Sequence, residues 1–169
     1  MTQTPDQILS KLADEARKEL ISGILPFWVN RMPDDVNSGF YGRIDGENNV
    51  IADAPKGAIL NARILWTFSA AYKAVNDPQY LETALRAKNY ILSHFFDEEQ
   101  GGTYWCLKSD GKPVDMKKQI YAQAFFIYAL SEYYMATGDV ECLNKAVGLF
   151  HSVEDHSFDR ELNGYFEAF

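Results

Sequence analysis

An internal repeat constrains this chain more than any other feature of its sequence. A Gly-aromatic signal appears as Gly39-Phe40-Tyr41, Gly102-Thr103-Tyr104 and Gly164-Tyr165-Phe166, in steps of 63 and 62 residues. Other positions keep the 62-residue step: Lys56 with Lys118, Tyr72 with Tyr134, Asp77 with Asp139 and Leu81 with Leu143. Ala84 with Ala146 and Asp97 with Asp159 do the same. Matches in a single register indicate a duplicated unit, and a duplicated unit dictates a repeat architecture.

Each unit reads as a hairpin followed by two helices. The first hairpin is GFYGRIDGENNVIAD (39–53), with turn residues Asp45-Gly46 and Asn48-Asn49 between short apolar runs. The second is GGTYWCLKSDGKPVD (101–115), with Asp110-Gly111 at its tip. The helix pairs fall at 57–76 with 78–96, and at 117–137 with 139–155. Asp77 and Pro78 form a cap-and-start signal, and Gly138-Asp139 breaks the second pair. A leading helix spans 5–24, with Thr4 as its cap, Pro5 as its first residue and Gln7 closing a capping box.

Helices 57–72 and 119–131 are apolar nearly all round, as expected of an inner ring covered on both sides. Helix 78–96 carries Glu82, Arg86 and Lys88 on a wet face, as expected of an outer ring. The expected fold is therefore all-α: one partial domain over 1–169, forming part of a helical toroid with short hairpins. Six such units would need about 370 residues, so this chain would supply less than half a ring. Inner-helix surfaces left open in this way are rich in Ile, Leu, Phe and Tyr. They raise the expectation of self-association.

Composition excludes several partners. The net charge is −8, and no stretch is rich in Lys and Arg, so nucleic acids and anionic membranes are poor candidates. The polar N-terminus has no signal-peptide core, and no apolar run reaches the roughly 18 residues needed to span a bilayer. Cys106 and Cys142 lie far apart, outside any metal-ligand spacing. Reduced thiols in a cytoplasmic protein without a metal site are expected.

Arg63 is the one charged side chain between Gly57 and Tyr72. A buried, unpaired guanidinium is costly, so Arg63 must find water, an acid or a ligand. Asn61 and Trp66 flank it, and a tryptophan near polar groups suits either sugar stacking or the core. In KKQIYAQAFFIYALSEYY (117–134), Gln119 and Gln123 share one helix face and Tyr121 points elsewhere. These groups fit contacts to hydroxyls, or capping and packing. His94, His151 and His156 fall at or near the ends of outer helices and form no acid/base pair.

The motif order resembles the N-acylglucosamine 2-epimerase family, and within it the cellobiose 2-epimerase branch. The carriers are Gly39-Phe40-Tyr41-Gly42, LNARILW (60–66), Gly101-Gly102-Thr103-Tyr104-Trp105, KKQIYAQAF (117–125) and Asn163-Gly164-Tyr165-Phe166-Glu167-Ala168. The resemblance covers nearly the whole chain. It implies an (α/α)6 barrel that inverts C2 of the reducing-end glucose in β-1,4-linked disaccharides, without metal or redox cofactor. It implies that Arg63 is the active-site arginine holding a developing oxyanion, and that Tyr121 lines the same pocket. Asn61 and Trp66 lie beside the arginine as further substrate contacts. The family's two acid/base histidines match none of His94, His151 and His156. They are expected beyond Phe169, so the chain alone is expected to be inactive.

Two other readings fit the residues. A toroidal glycoside hydrolase would need poised carboxylates, for which Asp45, Asp53 and Asp115 are the hairpin candidates. Turn chemistry explains Asp45 better, since it precedes Gly46. A non-catalytic helical repeat module would instead use its inner face as a docking groove.

Overall fold

The computed structural model describes residues 4–168, which fall into two compact units divided between Pro33 and Asp34. The first unit is helical. Helix α1 (Pro5–Glu19) starts on the expected capping box: the Thr4 hydroxyl accepts from Gln7 N–H, and the Gln7 amide oxygen accepts from Thr4 N–H. The helix does not stop at 24. It continues through a π turn (Leu20–Ile24) into α2 (Leu25–Arg31). Pro26 explains the irregularity. It has no N–H, and its ring crowds the carbonyl one turn back, so the ladder widens ahead of it.

The second unit contains the repeats. Helices α3 (Ala58–Val75) and α4 (Pro78–His94) form one antiparallel pair; α5 (Ile120–Thr137) and α6 (Val140–Ser157) form the next. The two pairs end and restart in the same way. Asn76 and Gly138 both adopt the left-handed conformation, at φ 59° and 75°, and terminate α3 and α5. Asp77 then caps α4 through Gln79 N–H, and Asp139 caps α6 through Cys142 N–H.

Helix α3 packs against both α4 and α5, which leaves it apolar on most sides. Phe68, Leu65, Phe126 and Leu130 are fully buried between these helices. Each stabilises the fold by about 1.5–3 kcal/mol through the apolar area it removes from water.

The hairpins are shorter than the sequence suggests, and they join neighbouring repeats. The segment 39–53 forms no paired strands. It is a loop closed by one bridge, Ile44 to Val50, with the Asp45 carboxylate accepting from Glu47 N–H, Asn49 N–H and the Asn49 amide. Three donors on one carboxylate hold the turn without any ladder. Strand β1 (Lys56–Gly57) leads into α3 and pairs antiparallel with β2 (Cys106–Leu107) of the following hairpin, which pairs in turn with β3 (Pro113–Asp115). A last pair, β4 (Phe158–Asp159) and β5 (Gly164–Tyr165), opens the third unit.

The cross-repeat pairing recurs. Gly57 pairs with Cys106 and Gln119 with Ala168. Ala58 N–H donates to Trp105 O, and Ile120 N–H to Glu167 O. Each of these residues stands 62 positions before its counterpart, so the duplication extends to individual backbone hydrogen bonds.

A buried ion pair anchors each repeat. Lys56 Nζ donates to Asp34 Oδ2 at 2.8 Å and to Ser38 O at 2.7 Å, and lies over the Tyr90 ring. Lys118 Nζ donates to Asp97 Oδ2 at 2.6 Å and lies over the Tyr104 ring. The Lys56 and Asp34 side chains are 1% and 0% exposed, so neither can turn to water. Removing one partner strands the other, and Lys56→Ala is expected to cost about 3–5 kcal/mol in urea unfolding.

The same pairs set an acid limb. Burial opposes ionisation of Asp34, but the Lys56 bond and the Asn37 and Val36 N–H groups outweigh it and hold its carboxyl below the ordinary value. Asp97 is held down by its Lys118 bond and then by Gln100 N–H. A carboxyl depressed in the folded state adds stability that is complete above its unfolded value, about 3.9, and is lost as pH falls through the folded value. The urea midpoint should hold down to about pH 5 and fall below it, and the fall should be smaller in Asp97→Asn.

Candidate functional site

The four sequence candidates separate in the structure. Arg63 and Trp66 on α3 face α5, Tyr121 opens α5, and Asn61 lies inside. Asn61 is 1% exposed, with its amide donating to Gly57 O at 2.9 Å. It secures the first turn of α3, which has no other side-chain cap, while its Oδ1 is buried without a protein partner among the described residues. Gln123 stands 62 residues further on, at the same point of α5, and is also fully buried. Its amide nitrogen and oxygen are both without a protein partner among the described residues. Gln123 lies beside Gly102 of the second hairpin, whereas Gln119 forms a backbone bridge to Ala168.

Arg63 is exposed and has no ion pair among the described residues. Its guanidinium sits over the Phe125 ring, 5.2 Å from the centroid. Of the fates open to Arg63, the internal acid is thus not the one taken. Three residues on, Trp66 stacks on Tyr128 with centroids 5.1 Å apart and planes 15° from parallel. Tyr121 meets Phe125 edge-on at 4.9 Å. Tyr121, Ala124, Phe125 and Tyr128 line an apolar cavity of about 210 Å³. Tyr121 and Tyr128 remain 57% and 52% exposed, an unusual state for large aromatic rings on an otherwise buried helix.

The site is therefore an aromatic wall with one fixed cation at its edge. A guanidinium stays protonated at any working pH and carries five N–H donors. Held over a ring with no carboxylate partner among the described residues, it has donors open to water or to a ligand oxygen. The indole Nε1 of Trp66 is buried and has no protein acceptor among the described residues.

Phe125 and Tyr128 were not singled out from the sequence, although a signal existed. Phe125 is 62 residues after Arg63, and Tyr128 is 62 after Trp66. Equivalent positions of consecutive repeats touch each other along the α3–α5 seam.

The titratable candidates lie elsewhere. His94 stacks on Tyr90 at 4.4 Å, His151 packs against Phe150, and His156 Nδ1 is 2.9 Å from Ser152 O. None lines the aromatic cavity. Asp45 holds its turn, Asp53 sits in an exposed turn, and Asp115 accepts from Lys117 N–H. None forms a carboxylate pair at the wall. A larger polar cleft of about 620 Å³, bordered by Asp34, Asp35, Arg86 and Asp110, includes no residue of the wall. No helix among the described residues is long and apolar enough to cross a membrane.

Residues 39–169 match the family model described as N-acylglucosamine 2-epimerase (GlcNAc 2-epimerase). The chain belongs to the N-acylglucosamine 2-epimerase family. A cellobiose 2-epimerase of Bacteroides fragilis is 55% identical over 163 residues, which cover 96% of this chain and 41% of that protein. The N-acylglucosamine 2-epimerase of Homo sapiens is 25% identical over 134 residues, 77% of this chain and 31% of that one. The structure of cellobiose 2-epimerase from Spirochaeta thermophila superposes with a TM-score of 0.94 at 38% identity, covering 99% of this chain and 41% of the other. The helix pairs are thus those of an (α/α)6 barrel, as expected, and the chain spans about two fifths of the length of these relatives.

Exposure separates the two polar candidates energetically. Arg63→Ala should cost no more than about 1 kcal/mol of stability, the scale of an exposed cation–π contact. Asn61→Ala should cost about 1–3 kcal/mol, because it removes a buried side chain and its hydrogen bond to the Gly57 carbonyl. Urea unfolding of both variants checks the order.

Proposed function

We propose that this chain builds the arginine-bearing wall of a sugar pocket in a 2-epimerase that acts on the reducing-end glucose of β-1,4-linked disaccharides. The observation that carries the reading is Arg63: an exposed guanidinium, with no carboxylate partner among the described residues, beside four aromatic rings on the seam between two inner helices. The 55% identity to a cellobiose 2-epimerase supports the substrate class, against 25% to an N-acylglucosamine 2-epimerase.

Chemistry assigns the roles. Epimerisation at C2 of an aldose needs the open-chain carbonyl at C1. Removing the C2 proton moves negative charge onto that carbonyl oxygen. A preorganised cation at the oxygen is the largest single aid such a step can receive. Arg63 supplies it, and the rings of Tyr121, Phe125 and Tyr128 take the apolar face of the sugar and exclude water. Inversion also needs one group to remove the proton and another to return it on the opposite face. Among the described residues, no histidine or carboxylate lines the cavity. The reading therefore assigns this chain binding and oxyanion stabilisation, and leaves proton transfer to residues outside it.

Trp66 reports on the wall because it stacks on Tyr128. Titrating cellobiose should change tryptophan emission saturably, and Arg63→Ala should weaken the apparent affinity by about tenfold, the scale of one charge-assisted hydrogen bond. Anomeric-proton NMR of the same mixture should show no glucosyl-mannose. An unsaturable response unaffected by the substitution would remove the proposed site, and turnover would place the proton-transfer groups within this chain.

A further inference from the structure

The turns that open the first two repeats share most of their backbone bonds. Asp34 N–H donates to Gly39 O at 3.0 Å, and Asp97 N–H to Gly102 O at 3.1 Å. Each aspartate accepts from the N–H groups two and three residues on. Gly39 and Gly102 share the left-handed conformation, at φ 65° and 70°.

In the first copy the turn binds a guanidinium. Arg86 of α4 donates through Nε to Gly39 O at 2.8 Å and through Nη2 to Asp34 O at 2.6 Å. Nη2 also pairs with Asp35 Oδ1 at 2.9 Å. Two carbonyls and one carboxylate thus converge on a planar cation.

The second copy keeps the two carbonyls, although Asp97 O also accepts from Gly101 N–H at 2.9 Å, and it lacks the arginine. The residue 62 positions after Arg86 is Gly148, exposed on α6. Glu98 stands where the first copy has Asp35. Lys145 reaches only Glu98 Oε1, at 2.7 Å, and otherwise lies over the Phe96 ring. No side chain among the described residues donates to Asp97 O or Gly102 O. A cavity of about 240 Å³ opens there, bordered by Asp97, Glu98, Gly102, Lys145 and Gly148.

We propose that this cavity is a guanidinium-binding site that takes arginine, either as the free amino acid or as a side chain of another polypeptide. The guanidinium donates to Asp97 O, Gly102 O and the free oxygen of Glu98, as Arg86 does to the equivalent groups within the chain. An ammonium is a poor substitute, because a single point charge cannot span separated acceptors as a planar fork does. The site lies at the turn of the second repeat and shares no residue with the aromatic wall.

The test is a titration of the uniformly ¹⁵N-labelled chain with N-acetyl-L-argininamide, free L-arginine and N-acetyl-L-lysinamide. Saturable shifts confined to the amides of Gly101, Gly102 and Gly148 are expected with an arginine compound, and binding about tenfold weaker with the lysine compound. A response to the acetylated amide identifies an arginine side chain as the natural occupant; a response to free arginine alone identifies the amino acid. Gly148→Arg supplies the cation from within, so it should raise Tm and abolish the shifts, and Glu98→Gln should weaken them. Scattered or unsaturable shifts, equal binding of the lysine compound, or undiminished binding by Gly148→Arg would overturn the proposal.

Discussion

The buried pair between a turn aspartate and the lysine that precedes an inner helix determines where everything else in the repeat can sit. An ammonium held at 1% exposure without a partner would cost several kcal/mol, so Lys56 must meet Asp34. That requirement ties the opening turn of the unit to β1, some twenty residues later in the chain. Lys118 and Asp97 repeat the arrangement at the next hairpin. The aromatic rings of Tyr90 and Tyr104 cover the two ammonium groups and further restrict where they can lie. Each pair fixes the point at which an inner helix begins.

From that point the site follows by helical geometry. Arg63 is seven residues after Lys56, and Phe125 is seven after Lys118. Two helices started at equivalent points and packed side by side bring equivalent positions into contact. Arg63 therefore lies over Phe125, and Trp66 on Tyr128. The repeat supplies a seam of like positions, and the sequence fills them with unlike side chains. Where one unit places a cation, the next places an aromatic surface, and the cation is left without an acid. The pair Asn61 and Gln123 shows the opposite case, in which equivalent positions keep equivalent buried amides at the first turn of each helix.

Much of this was legible in the sequence because it rests on local chemistry. Thr4 with Gln7, Asp77 with Pro78, and Gly138 with Asp139 set helix ends through contacts within a few residues, and all three stand as read. Arg63 stood out because a lone charge in an apolar helix needs a physical reason. What escaped were long-range pairings. Lys56, Lys118 and Asp97 were each visible as repeat positions, but Asp34 was not, since it precedes Asp97 by 63 residues rather than 62. The strand pairing of Gly57 with Cys106 crosses between units, so no hairpin pattern announces it. The burial of Asn61 was hidden for a related reason: a polar residue beside an arginine in sequence lies on another face of the helix, and here that face is the core.

The central claim is that the repeat framework holds the Arg63 guanidinium unpaired so that a sugar oxygen can take it. The most direct measurement is the ¹⁵N–¹H resonance of Arg63 Nε, assigned by its loss in Arg63→Lys and followed through a cellobiose titration. The account requires that resonance to move saturably, with the same midpoint as the Trp66 emission change. A Trp66 response with the Arg63 resonance unmoved would contradict it, because the sugar would then be bound by the aromatic wall alone.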